Sequence, residues 1–402
     1  MVTRKKRLRA GKSIWQAFPA PRISTRAATD RMSADVLVIG AGISGALISE
    51  MAAAAGLSVI IADRRGPILG STPASTALVQ FEIDTPLTKL RDRIGAGNAI
   101  RAWRRSKLAV ENLAHRTKYL GIDCHMVRRN SLYLSGDSLN AEKLELEGEA
   151  RNAAGFETAV LSRSQLKAAY RLSRSKALLS FGNLALNPRL LTSGYLRHAM
   201  AHGVRILAPE EVVRIEVRAG GIAATLKSGT RLQAGAVIYA TGYELPKIVK
   251  LRSLKIASTF AIATYPQKRR LWATQALIWE ASEPYLYLRT TPDGRIICGG
   301  EDEDFSDEDR RNALLPAKVD HIRLKLQKLM PWVDTTPEFQ WAASFGVSST
   351  GLPRIGRIPG RQDVYAALGY GGNGITFSRI AAEVLTAQLT GRRDPDEDLF
   401  MF

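Results

Sequence analysis

The residues with the clearest chemistry lie between Ala34 and Arg64, in ADVLVIGAGISGALISEMAAAAGLSVIIADR. Gly40, Gly42 and Gly45 fit the spacing G-x-G-x-x-G. There the first glycine makes a tight turn, the second lets backbone approach a pyrophosphate, and the third lets a helix pack on a strand. The apolar run Val36 to Ile39 precedes the turn, an alanine-rich helical stretch follows, and a second apolar run, Leu57 to Ala62, ends in Asp63. A strand, turn, helix and strand in that order bring a helix N-terminus to the ligand. Its unpaired N–H groups and partial positive charge bind an anion without a basic side chain, and Ile43, Ser44 and their neighbours fall there. Asp63, about 20 residues beyond the turn, is placed to accept hydrogen bonds from a ribose hydroxyl. The unit reads as a dinucleotide site and does not by itself separate FAD from NAD.

A second glycine-rich element, ALGYGGNGITFSRIAAEVLTAQLTG, lies near the C-terminus. Gly369, Gly371, Gly372 and Gly374 let backbone come close to a flat ligand, and a helix predicted over Ile375 to Leu389 points its N-terminus at them. A simple nicotinamide enzyme needs no second anion-like site so far along the chain. A flavin does, because the reduced isoalloxazine carries negative charge near N1 and the C2 carbonyl, which a helix N-terminus stabilises. The stretch EPYLYLRTTPDGRIICGGEDEDF reads as a hairpin turning at Pro292, Asp293 and Gly294. On its first strand Tyr285, Tyr287 and Arg289 share one face and Leu286 and Leu288 the other, so one face packs and the other lines a ligand cavity or meets solvent.

Several elements must position these residues. The loop RRGPILGSTPASTALVQFEIDTPL leads into a basic helical stretch, Leu87 to Leu120. Asn130 to Gly136 reads as a short strand and Ser138 to Ala154 as an amphipathic helix. Asn187 followed by Pro188 starts a helix running to about His202. The segment from Gly203 to Gly242 alternates and turns as a small antiparallel sheet, and its last strand, Ala236 to Ala240, is apolar enough to be buried on both faces. Strands recur from Ile256 to Gly300, and Pro331 closes a helix that begins near Ala317. The acidic run Glu301 to Asp309 lacks EF-hand spacing and is expected to be a solvated loop.

At 402 residues, with a net charge of +19, the chain is long enough for two domains. Arg4, Lys5, Lys6, Arg7, Arg9, Lys12, Arg22, Arg26 and Arg31 crowd ahead of the dinucleotide turn with only Asp30 against them. Such an arm suits contact with an anionic surface or an import address, although a solvated or surface-pinned arm accounts for it as well. No apolar segment of secretory type follows the basic cluster, since Trp15, Phe18 and Pro19 are interleaved with Gln16, Pro21 and Arg22. No stretch offers about 20 apolar residues free of charge, so nothing is expected to span a membrane. Cys124 and Cys298 are far apart, without metal spacing, and suit structural thiols in a reducing cytosol. The expected location is cytoplasmic, and no metal site is expected.

In order and spacing, GKSIWQAFPAPR, the dinucleotide turn, GSTPASTALV, IYATGYE, YLYLRTTPDGRIICGGEDEDF, WAASFGVSSTGLPRIG and GYGGNGITFS resemble the FAD-dependent D-amino-acid oxidase, glycine oxidase and sarcosine oxidase superfamily. Within it they are most similar to γ-glutamylputrescine oxidoreductase-like members. The resemblance covers almost the whole chain and makes the arm part of the enzyme fold. It implies an α/β (α+β two-domain) architecture, a Rossmann-like FAD-binding domain with a second, antiparallel-sheet substrate domain. The division is a basic arm over 1–32, an FAD domain from 33–85, 150–245 and 340–402, and a substrate domain from 86–149 and 246–339.

The resemblance further implies that Gly40, Gly42, Ile43, Ser44 and Gly45 hold the FAD pyrophosphate, with Asp63 and Arg64 at the adenosine ribose. Ser71, Thr72, Ser75 and Thr76 would lie along the pyrophosphate and flavin edge, and Val212 would meet adenine. Ala240, Thr241 and Gly242 would return the chain to the cofactor, and Gly371, Gly372, Asn373, Gly374, Ile375 and Thr376 would contact the isoalloxazine. Tyr285, Tyr287, Arg289 and Phe345 are the substrate-side candidates, and none is assigned as an obligatory base.

Two departures refine this reading. Where amino-acid oxidases carry W-x-G-L-R-P, whose arginine pairs with the substrate carboxylate, this chain has Trp341, Ala342, Ala343, Ser344, Phe345 and Gly346. An α-amino acid loses its bidentate partner, which favours an amine whose carboxylate is distant or absent. The cysteine that binds flavin covalently in sarcosine oxidases has no counterpart, because Cys298 precedes Gly299 on a strand, so non-covalent FAD is expected. The implied reaction is oxidation of a C–N bond in an amine or N-substituted amino acid by hydride transfer to flavin N5. Oxygen, a quinone or a partner flavoprotein would take the electrons. Two other readings remain at this point: an RNA-associated FAD-dependent modifying enzyme, though no RNA module is recognisable, and a non-catalytic flavoprotein subunit.

Overall fold

Val36–Ile39 and Val59–Ala62 are apolar on both faces, a pattern that suits parallel strands covered by helices. They belong to strands Met32–Ile39 and Val59–Ala62, which pair in parallel and are joined through the helix Ile43–Ala54. The computed structural model describes residues 2–19, 22–29, 32–249 and 254–402. Pro21, Asp30 and Arg31 of the basic arm lie outside the described residues. The sheet begun by these strands gains Arg205–Leu207 on one side and Arg231–Tyr239, then Val364–Leu368, on the other, all in parallel. Arg354–Arg357 closes one edge antiparallel, and the meander Val212–Arg218, Gly221–Leu226, Arg231–Tyr239 completes the eight-stranded sheet. The hairpins of this meander and its buried last strand match the sequence expectation, but Gly203 to Gly242 is not one antiparallel sheet. Arg205–Leu207 pairs in parallel with Val59–Ala62, and Arg231–Tyr239 pairs in parallel with Met32–Ile39 and Val364–Leu368, because both join the helix-covered central sheet. The helix Pro188–Ala201 begins where expected, with the Asn187 side chain accepting from the amides of Arg189 at 3.0 Å and Leu190 at 3.2 Å.

A second sheet of ten strands stands against the first. Its centre is antiparallel, formed by Pro337–Ser348, Leu254–Thr264, Ile296–Glu303 and Leu286–Thr290, and it runs on through Leu277–Glu280 to Val127–Leu134 and Lys176–Ala185. The pairing of Leu277–Glu280 with Val127–Leu134 is parallel. Period-2 alternation divides its side chains between two cores. Phe260, Ile262, Cys298 and Ala342 pack beneath the helix Glu308–Leu329, while Ala261, Ala263, Ile297 and Trp341 join the core shared with Ile43–Ala54. Leu286 and Leu288 take the helix side, as the hairpin pattern predicts. Cys124 and Cys298 are free, buried thiols.

The structure departs from what composition and pattern alone suggest at several further points. The basic stretch Leu87 to Leu120 is two helices, Leu87–Ile94 and Ala96–Tyr119, broken at Gly95, whose φ of 83° leaves the helical region. The helix expected from Ala317 starts at Glu308 and carries Pro316 inside it. Asp307 caps it by accepting from the Arg310 amide at 2.8 Å, and burial of Leu315, Val319, Ile322 and Leu326 on the sheet offsets the roughly 3 kcal/mol that an interior proline costs.

The acidic run is not wholly a solvated loop. Glu301–Glu303 continue a strand, and Glu301 is 4% exposed. The arm is a structural strand rather than a solvated appendage, as the family resemblance implies. Arg9–Lys12 pairs antiparallel with Pro337–Ser348, Ile14 and Trp15 are buried, and Arg311 Nη2 donates to the Arg7 carbonyl at 2.7 Å. Lastly, Thr158–Ser162, Lys176–Ala185 and Pro337–Ser348 lie in the ten-stranded sheet, although the sequence division places the first two, and most of the third, with the FAD domain. Alternation identifies a strand without saying which sheet it joins.

Candidate active site

One cavity runs between the two sheets, with an empty volume of about 1750 Å³ including its mouth. At one end it meets the dinucleotide turn. Gly40 has a φ of 116°, and a Cβ there would lie 2.4 Å from the Ala240 carbonyl oxygen. A Cβ on Gly45 would lie 1.9 Å from the Gly40 carbonyl oxygen, so this glycine serves helix–strand contact and does not itself line the cavity. Gly42, Ile43 and Ser44 do line it. The Ile43 amide donates to Thr72 Oγ1 at 3.0 Å, and Ser44 Oγ lies 2.8 Å from Ser378 Oγ on the C-terminal helix.

Asp63 lines the cavity and braces the turn. Its Oδ2 accepts from the Ala41 amide at 2.7 Å, and its Oδ1 accepts from the amides of Arg65 at 2.8 Å and Gly66 at 2.9 Å. Arg64 and Arg65 both pair with the buried Glu244. Val212, Ala240, Thr241 and Gly242 complete this end.

Farther along, Ser71, Thr72, Ser75 and Thr76 form one wall, and Gly371, Gly372, Asn373, Gly374 and Ile375 form the wall at the N-terminus of the helix Gly374–Leu389. Thr376 faces elsewhere; it is 1% exposed and donates to the Gln80 carbonyl at 2.9 Å. The loop over residues 80–84 braces the glycine loop, and its Gln80 and Asp84 line the cavity beside it. Asn373 Nδ2 donates to the carbonyls of Gln80 and Glu82, and the Gly372 amide donates to Asp84 Oδ2 at 2.7 Å. A Cβ on Gly372 would lie 2.9 Å from Asp84 Oδ1.

The remaining end is lined by Thr259, Trp279, Tyr285, Tyr287, Asp302 and Phe345. Tyr285 and Tyr287 have ring centroids 5.9 Å apart, and Trp279 stacks on Tyr133 at 3.7 Å. Tyr285 Oη donates to Asp302 Oδ2 at 2.6 Å. Burial pushes the Asp302 carboxyl up to about 6; hydrogen bonding from Thr259 and Tyr285 opposes this, and nearby Asp84 adds to it. Asp84 lines the cavity and is accessible within it; the surrounding protein pushes its carboxyl up while the Gly372 N–H pulls it down. Burial likewise raises both phenols.

Arg289 does not belong to this end. It is 2% exposed, its Nη1 donates to the carbonyls of Ala77 at 2.7 Å and Leu186 at 2.8 Å, and its Nε donates to that of Thr290 at 3.1 Å. It pins the wall segment Thr76–Ala77 from behind, and burial lowers its guanidinium to about 9. Sequence reasoning missed Asp84 and Asp302. Regular alternation would carry Asp302 to the side of Cys298, toward the helix Glu308–Leu329. A bulge prevents this: Phe260 pairs with Gly300 and Ser258 with Glu303, so two residues of one strand oppose Thr259. Gly300 and Glu301 both have positive φ, at 140° and 56°. The extra residue returns Asp302 to the cavity.

The family profile DAO, FAD dependent oxidoreductase, matches residues 35–388. The chain belongs to this family. It is 25% identical, over 92% of its length, to the tRNA 5-methylaminomethyl-2-thiouridine biosynthesis bifunctional protein MnmC of Burkholderia thailandensis, and it spans 59% of that relative. Among solved structures, glycine oxidase from Geobacillus kaustophilus aligns over 90% of this chain and 96% of its own with a TM-score of 0.73 at 18% identity. L-proline dehydrogenase from P. horikoshii aligns over 93% and 97% with a TM-score of 0.77 at 19% identity. These two likenesses carry the fold.

The cavity of this DAO-family chain fits an FAD. Two helix N-termini, Ile43–Ala54 and Gly374–Leu389, open onto it from separate ends of the sequence, and a Cβ at Gly372 would displace the Asp84 carboxylate from its place beside the glycine loop. Asn373, 5% exposed, keeps Oδ1 without a partner among the described residues. Among those residues no helix is long and apolar enough to cross a membrane, and no cluster of metal-ligating side chains is present.

Proposed function

We propose that this FAD-dependent oxidoreductase oxidises the C–N bond of an amine, with a γ-glutamylputrescine-like amine as the favoured substrate and FAD held non-covalently. The observation that carries the reading is the makeup of the far end of the cavity. It has aromatic rings and two carboxylates, and Arg289, the cation expected from sequence, is spent on backbone carbonyls. Trp341, which begins the segment aligned with the amino-acid oxidase arginine motif, donates Nε1 to the Ala74 carbonyl at 2.9 Å. A substrate α-carboxylate finds no bidentate partner there. Trp279 Nε1 and Gln80 Nε2 are buried donors without partners among the described residues, and they suit the carbonyl of an amide-linked amine.

In this reading the backbone at Gly42 and Ser44 would hold the pyrophosphate, with the Ile43 amide braced on Thr72 beside it, Asp63 the ribose, Val212 the adenine, and Gly371 to Ile375 the flavin ring. Bound FAD supplies the acceptor for the two electrons lost when the amine becomes an imine. Tyr285, Tyr287 and Phe345 flank the carbon chain, orient it and exclude water from it. The N-terminus of Gly374–Leu389 stabilises negative charge at the cofactor. Water then adds to the imine to give a carbonyl compound and a free amine or ammonia. The test is product trapping: aerobic incubation with γ-glutamylputrescine is expected to yield an aldehyde captured by an aromatic amine reagent. Absence of aldehyde with every amine offered, while flavin stays bound, favours a non-catalytic flavoprotein.

The net charge of +19 and the likeness to a tRNA biosynthesis protein favour a second reading, in which the oxidised amine is carried on RNA. It requires tRNA binding that weakens roughly 10³-fold or more between low and moderate salt. Salt-insensitive or absent binding removes it.

A further inference from the structure

The cavity of the proposed amine oxidation carries more negative charge at its substrate end than one reacting amine needs. Asp84 and Asp302 approach from different sheet-flanking segments, the first from the loop before Leu87–Ile94 and the second from the bulge of Ile296–Glu303. They are near enough for Asp84 to act on Asp302 and for both to act on Tyr285. Among the described residues the cavity's basic side chains are Arg64 and Arg65, both at the dinucleotide end and both paired with Glu244. Asp84 uses Oδ2 on the Gly372 amide and has acceptor capacity left on Oδ1. Asn373, on the same wall, spends both amide hydrogens on backbone carbonyls and leaves Oδ1 unpartnered. Tyr285, Tyr287 and Phe345 line the same end, and aromatic rings attract cations over their faces.

We infer that Asp84 and Asp302 bind a second, non-reacting ammonium of the substrate, so that the enzyme selects amines with two cationic nitrogens over monoamines and over amino acids of the same length. This rests on the amine-oxidising reading of the same site. One nitrogen reacts as the neutral amine while the other stays protonated between the carboxylates and the rings, which fixes how deep the chain enters. A lone carboxylate at that position, with no ammonium beside it, would face two like charges.

The test uses the FAD-loaded protein and three probes of one length: 1,4-diaminobutane, butylamine and 4-aminobutanoate. Their affinities are measured by calorimetry and their reactivity by anaerobic flavin bleaching. The diamine is expected to bind at least tenfold more tightly than either of the others. Asp302→Asn and Asp84→Asn, whose amide oxygens still accept from Tyr285 and Gly372, are each expected to cut that preference at least fivefold. If Asp84→Asn fails to hold FAD, Asp302→Asn decides alone. Equal affinity for diamine and monoamine, tighter binding of 4-aminobutanoate, or an unchanged preference in Asp302→Asn overturns the inference. Diamine selectivity without bleaching by any probe leaves the binding inference standing and refutes amine oxidation. Bleaching by butylamine and diamine alike, with equal affinities for the two, does the reverse.

Discussion

Asp302 is a carboxylate that the fold disfavours in its charged form. With its pKa raised from an ordinary 3.8 to about 6, it costs stability when ionised, above about pH 6, and the cost disappears as pH falls from 6 toward 4. Asp302→Asn is expected to stabilise the protein by about 1–3 kcal/mol near pH 8 and by much less near pH 4.5, read as thermal midpoints at both. An equal effect at the two pH values contradicts the burial argument. Affinity for a cationic amine should also fall as pH drops through 6. Gly45 is the opposite case: the spacing G-x-G-x-x-G assigns its packing role, and the clash of an added Cβ with the Gly40 carbonyl oxygen supplies the reason. Gly45→Ala should destabilise by roughly 1–3 kcal/mol and weaken FAD retention, measured by chemical denaturation and flavin release. The glycines were legible because backbone constraint leaves a mark on residue type. Asp302 was not, because its direction depends on a pairing irregularity between two distant strands.

That irregularity is held by neighbouring elements. Glu301, at the bulge, pairs with Lys318 at 3.3 Å and with Lys325, both on the helix Glu308–Leu329. Through the bulge this helix positions Asp302. Glu301→Gln is expected to raise the KM for the amine several-fold with a smaller change in kcat, and a purely structural role would instead lower the thermal midpoint alone. Arg289 serves the opposite wall, and Arg289→Met should release Thr76–Ala77, costing about 2–4 kcal/mol and loosening FAD, because three carbonyls lose a charged donor. Local signals read well here: Asn187 and Pro188 start their helix, and the Tyr285–Leu288 alternation sorts cavity from core. Pro316 misled because tertiary burial of its helix outweighed the local preference. Arg289 shares the strand pattern of Tyr285 and Tyr287, and nothing in that pattern marks where the cavity ends.

At the scale of the molecule, two sheets close over one cavity, and the basic arm belongs to that construction. Removing residues 2–12 would strip the strand Arg9–Lys12 from the edge of Pro337–Ser348 together with the Lys5–Glu211 and Arg7–Glu308 pairs. The expected result is a lower thermal midpoint and self-association on size exclusion; an unchanged, monodisperse protein would return the arm to a solvated role. The first strand–helix–strand unit of the parallel half was visible in the sequence because apolar runs flank a marked turn, whereas the parallel pairing of Arg205–Leu207 and Arg231–Tyr239 was not, since alternation and turns do not give strand direction. The allocation of strands such as Lys176–Ala185 was not, since it is set by contacts across the chain. Anaerobic titration of the purified flavoprotein with γ-glutamylputrescine and 1,4-diaminobutane asks whether amines reduce the flavin of this DAO-family cavity. Loss of the visible flavin band on adding amine, with no loss on adding D-alanine, is the predicted result. A flavin band that D-alanine bleaches and these amines leave intact would contradict the account.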